Sequence, residues 1–95
     1  MSSPVVKGID TRNYKGVIGD KIVTRAINDF RVTGVRVEIY AANGTLLEAG
    51  NAELNINGID WTYTATQVNN PLVGSKIKAI ATDVPGNEGM LDVTL

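Results

Sequence analysis

Apolar and polar residues alternate along most of this chain with the two-residue period of a β-strand, and no window carries a helical stripe. From Lys21 to Asn28, residues Ile22, Thr24 and Ala26 fall on one face and Lys21, Val23 and Arg25 on the other, so the charged face is the wet one. Val35, Val37 and Ile39 alternate with Arg36, Glu38 and Tyr40 in the same way. Trp61, Tyr63 and Ala65 alternate with Thr62, Thr64 and Thr66, which predicts an aromatic core face and a threonine-rich wet face. Ile77, Ala79 and Ala81 face in while Lys76 and Lys78 face out, and Leu91, Val93 and Leu95 alternate with Met90, Asp92 and Thr94. At the start, Pro4 to Asp10 reads as a strand that Gly8 bends or bulges, with Val17 and Ile18 continuing it or packing beneath it.

Glycine, proline and asparagine punctuate these stretches about every ten residues, the spacing of an all-β sandwich or barrel. Asn43-Gly44 offers two residues that tolerate positive φ, which predicts a two-residue type I′ hairpin turn. Gly50-Asn51 marks a bend where the chain changes sheets, after which Ala52, Leu54 and Ile56 resume the alternation. Asn57-Gly58 is a second hairpin signal, and Asn69-Asn70-Pro71 is a loop. The count is seven to eight antiparallel strands in one domain over residues 1–95, the inventory of an immunoglobulin-like sandwich with Greek-key connections. Ile22, Ala26 and Asn28 share a spacing with Ile77, Ala81 and Asp83, as expected of the second and sixth strands at the centres of two facing sheets.

The missing residue types exclude more chemistry than those present suggest. With no histidine and no cysteine, thiol nucleophiles, Ser/His/Asp triads, zinc fingers and iron–sulfur sites are ruled out. Nine basic and ten acidic side chains give a net charge of −1, and the cations are scattered, so a nucleic-acid partner is not expected. The longest apolar run, Ile39-Tyr40-Ala41-Ala42, is far short of the ~20 residues of a membrane-spanning helix or the ~7–15 of a signal-peptide core. Neither membrane insertion nor an export signal is expected.

Several segments together resemble a known family: Asn28-Asp29, Val35-x-Val37-x-Ile39, Asn43-Gly44-Thr45, Trp61-Thr62-Tyr63-Thr64, Leu72-x-Gly74-Ser75-x-Ile77 and Ala81-Thr82-Asp83-Val84-Pro85-Gly86-Asn87. They are similar to the bacterial Ig-like domains, tandem modules of surface and secreted proteins that include adhesins. The resemblance covers about Lys21 to Leu95, and Pro85 stands where the family's A-T-D-x-A-G-N tail has a small residue. It implies a non-catalytic structural or interaction module, a spacer or adhesion-type domain, with an extracellular or cell-surface location and neighbouring domains or other proteins as partners. In that family the loops after the second and sixth strands share one end, where some tandem relatives bind calcium. This brings Asp29, Asp83 and Asn87 forward as a possible metal site without another cofactor. Calcium takes 6–8 oxygens, so three side chains alone do not complete a site. The competing expectation is a type II turn over Val84 to Asn87, with Asp83 capping backbone N–H groups.

Trp61 and Tyr63 would form a carbohydrate platform only if they faced water, and their alternation points to the core instead. Tyr40 is the better candidate for an exposed aromatic. Gly16 to Lys21 lacks the spacing of a phosphate loop, and Asn43-Gly44-Thr45 matches a glycosylation sequon at residues the hairpin needs. Asp29 and Asp83 have no evident cleft for acid/base work, so an enzyme is not expected. Alternatives are a ligand-binding module for carbohydrate or peptide, or a small protein that self-associates through edge strands, against an expected monomer. The last strand has only Asp92 to discourage another chain.

Overall fold

The computed structural model describes residues 4–27 and 31–95, with no helix among them. Eight strands follow in chain order: β1 (Val5–Asp10), β2 (Lys21–Ile27), β3 (Val32–Tyr40), β4 (Leu46–Asn51), β5 (Glu53–Leu54), β6 (Asp60–Thr64), β7 (Lys76–Asp83) and β8 (Glu88–Thr94). They form two four-stranded sheets in the orders β1-β2-β6-β5 and β4-β3-β7-β8, and every pairing is antiparallel. The two sheets stack as a sandwich. β2 and β7, the strands with the shared Ile/Ala spacing, are both interior to their sheets.

The inner faces are those the alternation predicts. Ile22, Thr24 and Ala26 of β2 and Trp61 and Tyr63 of β6 are buried against Val35, Val37 and Ile39 of β3 and Ile77, Ala79 and Ala81 of β7. Burial of apolar surface on both faces drives the assembly, at about 25 cal/mol per Å² removed from water. β1 bulges between Val6 and Gly8, as the glycine suggests. The chain leaves β4 of one sheet and enters β5 of the other at Ala52, two residues beyond Gly50. Gly50 has a packing reason as well: a Cβ there would stand 3.1 Å from the Tyr63 ring.

Four local expectations are corrected. Val17 and Ile18 are exposed, and the large side chain this segment buries is Tyr14, whose hydroxyl accepts from Asn69 Nδ2. Leu54 and Ile56 are exposed, because β5 ends after two residues and the chain turns at once into the β5–β6 hairpin. There the Gly58 N–H donates to the Asn55 carbonyl at 3.0 Å. The β3–β4 hairpin is a three-residue loop, not a two-residue type I′ turn. The Gly44 N–H donates to the Ala41 carbonyl at 2.8 Å, and only Gly44, at φ 91, takes positive φ. The β7–β8 loop is built the same way. The Gly86 N–H donates to the Asp83 carbonyl at 3.0 Å and the Asp83 N–H to the Asn87 carbonyl at 3.1 Å, so the hydrogen-bonded turn begins one residue before Val84.

Candidate functional site

The first candidate lies at the end of the sandwich where β2 and β7 finish. Asp83 pairs with Val32 in the ladder, and the Val84 N–H donates to the Arg31 carbonyl at 3.1 Å, so the chain after β2 and the β7–β8 loop do share one end. Asp29 lies outside the described residues. Asp83 and Asn87 are brought together: Asp83 Oδ1 accepts the Asn87 backbone N–H at 2.8 Å, and Oδ2 accepts from Asn87 Nδ2 at 3.5 Å. The Asp83 side chain is buried and acts as the backbone-capping carboxylate of its own loop. No group of three or more acidic side chains that could hold a metal occurs among the described residues.

The second candidate escaped the sequence reading. Glu48 stands on β4, where its neighbours suggest a mixed, half-wet strand, yet it is only 8% exposed. Its Oε1 accepts from the Tyr63 hydroxyl at 2.6 Å, the Thr66 N–H at 2.9 Å and the Thr66 hydroxyl at 3.0 Å. Its Oε2 accepts the Gln67 N–H at 3.1 Å. One carboxylate of the β4-β3-β7-β8 sheet thus holds the segment that leaves β6 of the other sheet. Burial, then the bond to Glu48, pushes the Tyr63 hydroxyl up to about 12. Nearby, Asn69 Nδ2 donates to Ser75 Oγ at 2.9 Å and to the Tyr14 hydroxyl at 3.2 Å, with all three side chains buried. The available signal for these residues was thin: a tyrosine inside a polar loop and a carboxylate inside a strand.

The aromatic candidates separate cleanly. Trp61 and Tyr63 are buried, which closes the carbohydrate-platform reading. Tyr40 is half-buried on the outer face of β3, and its hydroxyl donates to Glu38 Oε1 at 2.7 Å while Arg36 Nε donates to Glu38 Oε2 at 3.2 Å. Those two bonds hold the Glu38 carboxyl below its ordinary range, the tyrosine contributing most. Beside Tyr40 an open groove of about 340 Å³ is bounded by Ala42, Gly74, Lys76, Lys78 and Asp92. On the outer face of the other sheet, Arg25 makes a two-pronged pair with Asp60, at 2.8 and 3.0 Å.

Chemically, these arrangements bind the protein to itself. Glu48 and Asp83 have their oxygens engaged by hydrogen-bond donors of the chain, and the Tyr40 hydroxyl is engaged by Glu38.

No protein-family model and no curated protein matches the chain. Among solved structures it is similar to the crystal structure of an engineered protein, with 26% identity and a TM-score of 0.61 over 96% of this chain and 19% of that one. The chain therefore spans less than a quarter of that protein's length. The likeness supports the all-β architecture of two antiparallel sheets.

Proposed function

We propose that this domain is an immunoglobulin-like sandwich serving as a non-catalytic spacer or adhesion-type module of a bacterial surface or secreted protein. The observation that carries the reading is the separation of Pro4 from Leu95 along β8. Pro4 packs against Gly89 at the start of β8, where a Cβ on that glycine would collide with the Pro4 carbonyl. Leu95, past the end of β8, exchanges hydrogen bonds with Gly74 and Ser75, both at 2.8 Å. Six residues of strand separate Gly89 from Leu95, or about 20 Å, in a body measuring 40 × 26 × 17 Å. Pro4 and Leu95 thus stand at opposite ends of β8, a separation that suits a module strung between neighbours.

Two further features support it. The strand orders β1-β2-β6-β5 and β4-β3-β7-β8 agree with an immunoglobulin-like arrangement in which β2 and β6 face β3 and β7. Exposed Val17, Ile18, Val68 and Val73 gather at the Leu95 end, and exposed Ile56, Ile59 and Val84 at the Pro4 end. Exposed apolar side chains at both ends suit contact with an adjoining domain. In this reading Asp83 and Asn87 are turn residues, and folding requires no calcium.

Force applied between Pro4 and Leu95 pulls along β1 and β8, so the ladders to β2 and β7 must shear with many bonds breaking together. Force applied between Gly74 and Leu95, which meet at the open end of the β7–β8 hairpin, unzips β8 one bond at a time. Single-molecule pulling should therefore give a clearly higher unfolding force between Pro4 and Leu95 than between Gly74 and Leu95. Equal forces would remove the mechanical basis of the spacer reading.

A further inference from the structure

Four strands end the two sheets, and three of those edges carry devices that discourage another strand from adding. β1 has the bulge at Val6–Gly8, and β5 is two residues long. β4 has an irregularity against Ile39–Tyr40 and turns a carboxylate, Glu48, inward. β8 has none of these. Its seven residues pair with β7 without a register shift and include neither proline nor lysine. Met90 is 53% and Leu91 36% exposed. β1 runs close to β8, and Pro4 ahead of it meets Gly89, but β7 is the one strand that pairs with β8 among the described residues.

The hydrogen-bond parity of the free edge follows from the two ends of the β7–β8 ladder. The Leu95 N–H donates to the Ser75 carbonyl at 2.8 Å, and the Asn87 carbonyl accepts the Asp83 N–H at 3.1 Å. Odd-numbered residues of β8 therefore bond to β7, and Glu88, Met90, Asp92 and Thr94 turn their backbone groups outward. Met90 and Asp92 share the outer face of the sheet, with Asp92 opposite Lys78.

We propose that β8 is a self-docking edge, at which two copies of this chain join antiparallel through a two-fold axis at Leu91. Parity requires even-numbered residues to face even-numbered ones, so the axis falls at Met90, Leu91 or Asp92. An axis at Met90 sets Glu88 against the other copy's Asp92, and an axis at Asp92 sets that carboxylate against itself. An axis at Leu91 opposes Met90 to Asp92 and Glu88 to Thr94, with no like charges facing. It also brings the two half-exposed Leu91 side chains together as a non-hydrogen-bonded pair. The outcome is a continuous eight-stranded sheet. This edge is independent of the spacer reading, because end-to-end contacts use other surfaces.

A single strand pair is a small interface, so dimerisation should show only at high concentration, half complete at about 0.1–1 mM. Sedimentation over about 10 μM to 1 mM should show the mass rising toward twice that of the chain. Met90→Lys, a change that ordinarily protects an edge, should here tighten the dimer about threefold or more, because it places a cation opposite Asp92 twice. Met90→Asp should abolish it. The chain has no cysteine, so Leu91→Cys is a clean probe. Its Cα atoms should lie about 4.5 Å apart across the seam, within disulfide range, and mild oxidation should cross-link it. Met90→Cys should not cross-link, being displaced by two residues from its own copy. A monomer at the highest concentration, a weaker Met90→Lys dimer, or cross-linking of Met90→Cys in place of Leu91→Cys would each overturn the proposal. All four substitutions lie on the surface of β8, and circular dichroism verifies that each variant folds.

Discussion

Glu48 and Asp83 are both buried carboxylates on strands, but they hold different things. Asp83 accepts the backbone N–H of Asn87, four residues away, and so braces a loop that already has two backbone hydrogen bonds of its own. Glu48 accepts from Tyr63, Thr66 and Gln67, 15 to 19 residues away and beyond a change of sheet. The first carboxylate organises a turn. The second closes the sandwich, since four donors would otherwise face a half-dry gap where β6 ends. Burial alone does not reveal how much of the fold a charged residue supports; the sequence separation of its partners does.

The largest test of that contrast is removal of each carboxylate. Glu48→Ala should cost about 3–5 kcal/mol, because it strands the Tyr63 hydroxyl and two backbone N–H groups together, each worth about 1–3 kcal/mol when left unpaired. Asp83→Ala should cost about 1–2 kcal/mol, because the Gly86-to-Asp83 and Asp83-to-Asn87 backbone bonds persist. Urea denaturation gives both numbers. Equal losses, or a larger loss at Asp83, would break the comparison.

Alkaline pH tests the Glu48 centre without deleting it. The Tyr63 hydroxyl titrates at about 12 in the folded chain against an ordinary 10.0, through burial and then its bond to Glu48. A pKa raised on folding gives stability that is whole below pH 10 and is lost as the pH climbs through the folded value. Burial raises the Tyr14 hydroxyl as well, and the bond to Glu38 raises that of Tyr40, so the whole alkaline slope is shared. Tyr63→Phe should remove up to about 1.4 kcal/mol per pH unit of it, read from urea midpoints between about pH 9 and 11.5. An identical slope in the variant would mean that Tyr63 is not held by Glu48.

The same contrast explains what was legible in the sequence. Inner faces such as Ile22-Thr24-Ala26 and Trp61-Tyr63-Ala65 were readable because a two-residue period is a local property. The capping role of Asp83 was readable because Asn87, whose N–H it caps, is four residues away. Glu48 was not, since a glutamate beside Leu47 and Ala49 looks like any wet strand position until Thr66 and Gln67 are folded over it. Tyr14 was hidden for the same reason: its partner Asn69 is 55 residues distant. The turn at Asn43-Gly44 was located but given the wrong type, because one glycine at positive φ serves a three-residue loop as well as a two-residue one. Leu54 and Ile56 kept the alternation of a strand that β5 does not continue, and local pattern could not reveal where pairing stops.

The smallest expected effect completes the range of buried polar groups. Thr24 is wholly buried on β2 between Ile9 and Trp61 in the ladder, and its hydroxyl has no hydrogen-bond partner among the described residues. Where Glu48 has four donors, this oxygen has none, so its desolvation is uncompensated. Thr24→Val keeps the branched shape and the strand preference while replacing the hydroxyl with a methyl group, and should stabilise the domain by about 1 kcal/mol. For a chain of this size that is a rise of roughly 4–8 °C in the melting midpoint. A fall instead would show that the hydroxyl is bonded in solution. The contrast between satisfied and unsatisfied buried oxygens would then fall, and only that between Glu48 and Asp83 would stand.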